Sequence, residues 1–259
     1  MPGGSIYVQQ SEKYTGNSPQ WWYEKFWRED AQNRRRARYV KAGVGLVIGV
    51  AVALRFGLSD YAYLIGVLLA ALVAAGDWYL DWREFHSTAV WRGAKQGEVI
   101  TARHLRRSLG RQGYRVLDGR AIRGQASIDH LVIGPAGVWI VDNESWSPDT
   151  EIARYAGRLF FGEKYGSKTA KALVDTAESF AELLSRESGI PVTISPMLAV
   201  HCGDMPKGGV LVAEGLTLLK PRLVAKVIKA AEGRAYTEEQ IELLTRTATR
   251  ELLKFQAAA

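Results

Sequence analysis

Cysteine is almost missing from this chain: Cys202 is the single one among 259 residues. One cysteine excludes an internal disulfide framework and is compatible with a reducing compartment. Three common catalytic signatures are also missing, namely the Walker A phosphate loop, the glycine-rich dinucleotide fingerprint and the GxSxG nucleophile elbow. P-loop hydrolysis, Rossmann-type oxidoreduction and serine-hydrolase chemistry are therefore not indicated.

A zinc site and a cleaved leader are not indicated either. His201 adjoins Cys202 at the end of a predicted strand, but neighbouring strand residues face opposite ways. No further ligands are spaced to complete a zinc site. The first apolar run begins only near residue 42, which is too far along the chain for a secretory signal peptide.

The charge balance is basic. The chain is 47% apolar and 24% charged, which is the composition of a folded protein with a sizeable core. Its 34 lysines and arginines outnumber its 27 acids, so the net charge is +7. Such a surplus attracts nucleic acids and also anionic membrane surfaces, and charge alone does not choose between them.

One long apolar stretch, AGVGLVIGVAVALRFGLSDYAYLIGVLLAALVAAG at residues 42–76, contains only two charged residues, Arg55 and Asp60. Each apolar half has roughly 16 residues, slightly fewer than the ~20 that span a bilayer comfortably. A turn near residues 57–60 would leave both flanks on the same side. We predict a transmembrane α-helical hairpin; a buried helical hairpin inside a soluble core is the alternative.

The flanks of this stretch favour the membrane. The pair Gly45 and Gly49 forms a GxxxG motif, which allows two helices to pack closely. Cations precede the first helix, as expected on a cytoplasmic side; they are Arg34, Arg35, Arg36, Arg38 and Lys41. Aromatic residues lie at both ends, as in interfacial belts; they are Trp21, Trp22, Phe26, Trp27, Trp78, Tyr79 and Trp82. The predicted location is a cell inner membrane, with the lipid bilayer as a partner and the globular part in the cytoplasm.

Four segments follow from this pattern. They are a flexible tail (1–20), a basic and aromatic juxtamembrane segment (21–41), the two-helix membrane hairpin (42–82) and a globular domain with C-terminal helices (83–259). Strands interleaved with helices in the last segment predict an α/β fold. Predicted helices cover 91–111 and 168–187, with two more after Pro221 and Thr237. Predicted strands lie near 114–117, 126–133, 138–144, 192–201 and 209–214, with a hairpin at 153–166.

Three acids lie in and just beyond an apolar hairpin, IDHLVIGPAGVWIVDNES (128–145): Asp129, Asp142 and Glu144. Taking GPAG (134–137) as the turn pairs Ile133 with Val138, Leu131 with Ile140, and Asp129 with Asp142. Alternation then puts all three acids on one face, and the opposed aspartates, with Cβ atoms about 5 Å apart, would repel. A Mg²⁺ or Mn²⁺ ion between them would remove that cost. The alternative is a twisted hairpin whose end splays into water.

Glu98 is a further candidate for this site. At 100° per residue it shares a stripe of the predicted helix with Ala102, Leu105 and Leu109. The stripe is otherwise apolar, so Glu98 is expected to point toward the sheet. An exposed acid that favours the helix dipole is the alternative.

These residues resemble the nuclease-related domain (NERD), a branch of the PD-(D/E)XK nuclease superfamily. The resemblance is carried by QGE (96–98) and IDHLVIGPAGVWIVD (128–142) and covers roughly residues 91–220. It implies a restriction-endonuclease-like mixed sheet flanked by helices. It also implies Mg²⁺-dependent phosphodiester cleavage, with Glu98, Asp129 and Asp142 as metal ligands.

The chain departs from the family pattern at one position. The family's acid-x-Lys motif reads Asp142-Asn143-Glu144 here, so the lysine is missing. Glu144 would then act as an extra ligand or general base, or Lys168 or Lys171 in the next helix would supply the positive charge. The third interpretation is a catalytically inactive module at the membrane that binds nucleic acid or another partner.

Arginines are concentrated between the predicted first helix and the acids. Residues 103–123 contain seven against one acid, Asp118; they are Arg103, Arg106, Arg107, Arg111, Arg115, Arg120 and Arg123. Arg115, Arg120 and Arg123 border the acidic strands and are predicted to contact DNA or RNA. Arg103, Arg107 and Arg111 lie on the helix face away from Glu98, where a solvated or lipid-facing role is as reasonable.

Overall fold

The computed structural model describes residues 18–231, 233 and 235–254, which divide between two compact units, Met1–Arg92 and Gly93–Ala259. The tail predicted over 1–20 lies outside the described residues except for its last three. Of those, Ser18 is the N-cap of the first helix and accepts a hydrogen bond from the backbone N–H of Trp21 at 3.3 Å. The remaining two open that helix, because proline is well suited to a first helical position.

The described part of the N-terminal unit, residues 18–92, consists of helices and turns. Its elements are α1 (Pro19–Glu29), α2 (Ala31–Arg55), a short 3₁₀ turn (Ser59–Tyr61) and α3 (Ala62–Ser87). Two of its helical segments, Ala31–Arg55 and Ser59–Ser87, are long and apolar enough to cross a membrane, with mean hydropathies of 1.6 and 1.7. Within the unit their apolar side chains mostly point outward: Val47 is 65% exposed and Leu72 is 69% exposed.

Glycines hold α2 against α3. A Cβ added to Gly49 would lie 2.7 Å from the Cα of Gly66, and one added to Gly45 would lie 3.1 Å from Val73 Cγ2. The GxxxG motif of α2 therefore does bring the two backbones together. Ion pairs join the same two helices farther from the turn that connects them. The guanidinium of Arg38 contacts Asp77 and Asp81 at 3.3 and 2.6 Å, and Lys41 also pairs with Asp77.

Aromatic packing fixes α1 within this unit. Tyr23 is fully buried, stacks on Trp27 with ring centroids 5.8 Å apart and meets the edge of Trp91 at 5.7 Å. Glu24 forms an ion pair with Arg92, with 2.7 Å between Oε1 and Nη1. The segment predicted as juxtamembrane (21–41) is thus helical, and part of its aromatic cluster packs inward.

The C-terminal unit is an α/β layer structure with a seven-stranded mixed sheet. The sheet strands are β1 (Arg115–Ala121), β2 (Ser127–Gly134), β3 (Gly137–Ser145), β7 (Ile194–His201), β8 (Val210–Ala213), β9 (Leu216–Leu219) and β10 (Leu253–Lys254), in the order β10-β1-β2-β3-β7-β9-β8. A separate three-stranded sheet contains β4 (Ile152–Tyr155), β5 (Arg158–Phe161) and β6 (Lys164–Tyr165). The helices are α4 (Gly97–Leu109), α5 (Ser167–Ser188), α6 (Pro221–Ala230) and α7 (Glu238–Glu251).

Two apolar cores cover the faces of the large sheet. One contains Leu131, Ile140 and Leu198 with the buried sides of α5 and α7. The other contains Val132, Trp139 and Val141 with α4 and α6. Period-two alternation in β2 and β3 separates the two sets, since successive side chains point to opposite faces.

The predicted mixed α/β fold with two preceding apolar helices is confirmed, with local differences. α4 begins at Gly97, not near residue 91, and neither β9 nor β10 was predicted. The predicted hairpin at 153–166 is the three-stranded sheet β4–β6. The capping box of the last helix is present, with Thr237 and Gln240 bonded to each other's backbone.

Candidate metal centre

The acids stand where the β2–β3 ladder ends. The observed register pairs Ile133 with Val138 and Leu131 with Ile140, as the turn at GPAG predicts. The last regular pair is His130 with Val141. Asp129 and Asp142 would be the next pair, so their carboxylates lie just beyond the hydrogen-bonded part of the hairpin.

Beyond this point, hydrogen bonds to the aspartate carboxylates take the place of the backbone hydrogen bonds of the ladder. The backbone N–H of Asp129 donates to Asp142 Oδ1 at 3.3 Å. In return, both the backbone N–H and the Nδ2 of Asn143 donate to Asp129 Oδ2, each at 2.9 Å. The Asp129 carboxylate is therefore held by two hydrogen bonds from a single residue of the neighbouring strand.

The alternation of side chains between the two faces of β2 is interrupted beside Asp129. Ile128 packs in the same core as Leu131 and Ile133, although strict alternation would send it to the opposite face. Across the strand pair, Gly119 of β1 has a φ of +55°, a left-handed conformation that glycine adopts most readily. The facing of Asp129 thus depends on an irregularity that the sequence pattern did not reveal.

Burial and mutual repulsion perturb the acids. The pKa of Asp142 is raised to about 7, first because the carboxyl is buried and next because the Asp129 carboxylate lies beside it. The charge of Glu144 adds to this effect, and the pKa of Glu144 is itself raised by burial. Two carboxylates that cannot both ionise easily are what a bound cation would stabilise.

A buried polar network lies behind the aspartates. The Thr101 hydroxyl donates to Asn143 Oδ1 at 2.5 Å, and His201 Nε2 lies 3.2 Å from the same oxygen. The pKa of His201 is lowered to about 4 because the imidazole is buried. The network joins α4, β3 and β7 and fixes the amide whose other end holds Asp129. Sequence reasoning missed Thr101 and Asn143 in this role; their polar character at positions next to the motif was the available signal.

The family model of the nuclease-related domain (NERD) matches residues 93–201. This part of the chain is a nuclease-related domain. This match is consistent with membership of the PD-(D/E)XK superfamily. No curated protein and no solved structure gives a significant match to the chain.

The donor set of the NERD domain fits a divalent cation only in part. Asp129, Asp142 and Glu144 offer the hard carboxylate oxygens that Mg²⁺ and Mn²⁺ prefer. Among residues 18–231, 233 and 235–254, however, no group of three or more acidic, histidine or cysteine side chains is arranged to hold a metal. Glu98 is half-buried in the first turn of α4, and its charge acts to raise the pKa of the buried His130 imidazole. The fit therefore rests on the Asp129–Asp142 pair, with water and phosphate oxygens as the remaining ligands of Mg²⁺.

His130, which follows Asp129 in β2, is packed inside the domain. It is 2% exposed, and its Nδ1 lies 2.9 Å from Asp118 Oδ1, while Arg106 pairs with Oδ2 of the same carboxylate. Burial lowers its pKa to about 4, so the imidazole is neutral near pH 7.

The predicted cations lie in different places. Arg115 pairs with Ile133 near the hairpin turn, at the opposite end of the strands from the aspartates, and lines a cleft with Glu238 and Glu242. Arg120 pairs with Ile128, directly beside Asp129, and Arg123 lies exposed in the turn that follows β1. Lys168 is exposed in the first turn of α5. Register therefore puts Arg120 and Arg123, but not Arg115, at the acidic end of the sheet.

The raised pKa of Asp142 predicts a pH-dependent stability. In the metal-free protein the folded carboxyl keeps a proton between about pH 4 and pH 7 that the unfolded chain releases, so this residue costs stability as the pH rises through that window. Asp142→Asn removes the cost. We expect the variant to gain at least about 1.4 kcal/mol over wild type between pH 5 and pH 8, the equivalent of one pKa unit.

Thermal unfolding of the full chain in detergent with EDTA measures this difference. Comparing variant with wild type cancels the opposite contributions of His130 and His201, whose lowered pKa values cost stability as the pH falls. Asp175→Asn, on the exposed side of α5, is the matched control. Parallel curves for wild type and Asp142→Asn would contradict the assigned pKa.

Proposed function

We propose that this protein is a membrane-tethered, metal-dependent nuclease that hydrolyses phosphodiester bonds of DNA or RNA. The proposal is carried by one observation: within a NERD domain, Asp129 and Asp142 converge where a strand ladder ends, and the pKa of Asp142 is raised by burial and by the neighbouring Asp129. Perturbed carboxylates of this kind concentrate at functional sites.

In this proposal Asp129 and Asp142 hold Mg²⁺ or Mn²⁺, and Glu98 is the third predicted ligand. A metal bound there would activate water and offset charge on the phosphate. Asn143 keeps the Asp129 carboxylate oriented through its two hydrogen bonds. Burial raises the pKa of Glu144, which makes its carboxylate a stronger base toward the attacking water.

Cations at the same end of the sheet would bind the phosphate backbone. Arg120 is 8% exposed, and its buried Nε has no hydrogen-bond partner among the described residues. A buried donor without an acceptor is costly, and a phosphate oxygen would satisfy it. Arg123 and Lys168 are exposed and add charge, whereas Arg115 would act only on a longer substrate.

The membrane part of the proposal rests on α2 and α3. Their outward-facing apolar side chains and their close glycine packing suit a hairpin in a bilayer. The five cations predicted to be cytoplasmic lie at the open end of that hairpin, which would place the NERD domain in the cytoplasm at an inner membrane. A soluble hairpin would leave this apolar surface in water.

A second candidate function is favoured by Glu144. This residue occupies the position of the family lysine, and among the described residues no lysine or arginine forms an ion pair with Asp129, Asp142 or Glu144. A site whose acids are paired with no cation would bind a metal without stabilising the transition state. The protein would then be a non-catalytic module that binds nucleic acid or another partner at the membrane.

Calorimetric titration of the full chain in detergent with Mn²⁺ tests the metal site. We expect saturable binding in wild type that is lost in Asp129→Ala and retained in Asp175→Ala. Asp129 and Asp142 are the predicted ligands that the structure brings together, so removing one leaves too few ligands. Equal binding by wild type and Asp129→Ala would place the metal elsewhere. Absence of binding, repeated with a phosphorothioate oligonucleotide present, would reject the metal-dependent mechanism.

A further inference from the structure

The small sheet β4–β6 has an aromatic outer face. Its register pairs Phe160 with both Ala153 and Tyr165, and Tyr155 with Arg158. Paired residues lie on the same face of a sheet, so the three aromatic rings form one row. The ring centroids of Tyr155 and Phe160 are 5.7 Å apart, and those of Phe160 and Tyr165 are 4.9 Å apart.

The two faces of this sheet differ in burial. Ile152 and Leu159 on the inner face are fully buried in the domain core. On the outer face Tyr155 is 54% exposed and Tyr165 is 65% exposed. In the described part of Gly93–Ala259 no other aromatic side chain is exposed. The row of rings is therefore an unpartnered surface of the NERD-containing unit.

The segment that carries the row is basic, and Arg158 lies on the same face as the rings. Residues 151–171 contain five cations and two acids; the cations are Arg154, Arg158, Lys164, Lys168 and Lys171, and the acids are Glu151 and Glu163. Arg158 is exposed, is the cross-strand neighbour of Tyr155 and forms no ion pair within the described residues. Glu151 accepts a 2.8 Å hydrogen bond from the Tyr155 hydroxyl, which orients that ring.

The sheet is fixed to the strand that carries the acids. Trp146 follows Glu144 by two residues and stacks on Phe161 of β5, with ring centroids 4.4 Å apart and planes inclined by 23°. The backbone N–H of Trp146 donates to the carbonyl of His201 at 3.1 Å, so this contact is anchored in the large sheet. A strand bound on β4–β6 is thereby held at a defined position relative to β3.

We propose that the outer face of β4–β6 binds single-stranded nucleic acid, with bases stacked on Tyr155 and Tyr165 and a phosphate paired with Arg158. Exposed aromatic rings and an unpaired cation beside them are the two elements of sequence-independent single-strand binding. Duplex DNA offers no unstacked bases to such a row. The inference rests on the proposed nuclease function and specifies its substrate class.

Fluorescence anisotropy of a 5′-labelled dT20 oligonucleotide tests this surface, using the full chain in detergent with EDTA to prevent cleavage. We expect Tyr155→Ala/Tyr165→Ala to weaken binding by at least about 30-fold, since each stacked base contributes roughly tenfold. Tyr155→Phe/Tyr165→Phe keeps both rings and should bind within about threefold of wild type. Arg158→Gln should lower the slope of log Kd against log salt by about one unit. Leu243→Ala, which removes exposed apolar surface on α7, is the matched control.

The outcomes separate this inference from the nuclease proposal. Wild-type affinity in the double alanine variant, with its thermal unfolding unchanged, would overturn the single-strand surface. Tighter binding of a duplex than of dT20, or tyrosine-dependent binding to anionic vesicles in place of dT20, would overturn it as well. If Mn²⁺-dependent cleavage requires Asp142 but ignores the tyrosines, the nuclease proposal stands and this surface fails. If dT20 binding requires the tyrosines but no cleavage occurs, the surface stands and the nuclease proposal fails.

Discussion

Replacing Asp142 by alanine is expected to lower metal-dependent cleavage of nucleic acid by at least about a thousandfold. Metal ions contribute several kcal/mol of transition-state stabilisation, and each 1.4 kcal/mol corresponds to a factor of ten in rate. Asp142 is one of two carboxylates that stand together where the β2–β3 ladder ends, so its loss leaves Asp129 without its partner. Single-turnover cleavage of labelled single-stranded and duplex oligonucleotides, with Mn²⁺ and then Mg²⁺, measures the effect.

Two further variants test what replaces the family lysine. Glu144→Gln should lower the rate if Glu144 accepts the proton of water, and Lys168→Ala should lower it if that lysine supplies the positive charge. Asp175→Ala controls for loss of an exposed acid on α5. Cleavage that persists in Asp142→Ala at the wild-type rate would locate the reaction outside this site. Cleavage absent from wild type, with Mn²⁺ binding retained, would favour the non-catalytic module.

Replacing Gly49 by leucine is expected to separate α2 from α3. A Cβ at this position would lie 2.7 Å from the Cα of Gly66 and 3.0 Å from the carbonyl oxygen of Ile65. The first distance is shorter than van der Waals contact allows, and both atoms belong to the backbone, which cannot move aside as a side chain could. Overpacking of this kind costs about 1–3 kcal/mol, and here the strain is relieved only by moving the helices apart. The hairpin should therefore widen and its thermal stability in lipid nanodiscs should fall.

Spin labels at Val47→Cys and Leu68→Cys, both exposed positions, report the distance between the helices in a Cys202→Ser background. Gly43→Leu is the matched control, because no atom lies within 4 Å of a Cβ added there. A longer distance in Gly49→Leu, with Gly43→Leu unchanged, is the expected result. Identical distances in both variants would show that the glycine contact does not hold the hairpin.

The sequence by itself determined the features that depend on local pattern. Period-two alternation and the GPAG turn predict the β2–β3 register, which puts Asp129 and Asp142 just beyond the end of the ladder. Helical periodicity identifies the buried stripe Ala102, Leu105 and Leu109 of α4. A long apolar stretch interrupted by one polar turn gives the two N-terminal helices. The nuclease-related resemblance was carried by residues of the same hairpin.

Only the tertiary structure decided how the acids are held. Thr101, Asn143 and His201 come from three elements that are far apart in sequence, so no local pattern predicts that they meet. The break in alternation beside Asp129 arises where β2 leaves its regular ladder, and a polar or apolar pattern does not encode it. The same holds for the cations: Arg115 and Arg120 look equivalent in the sequence. Antiparallel register puts one at the turn and the other beside the acids, because each strand residue has a fixed partner across the sheet.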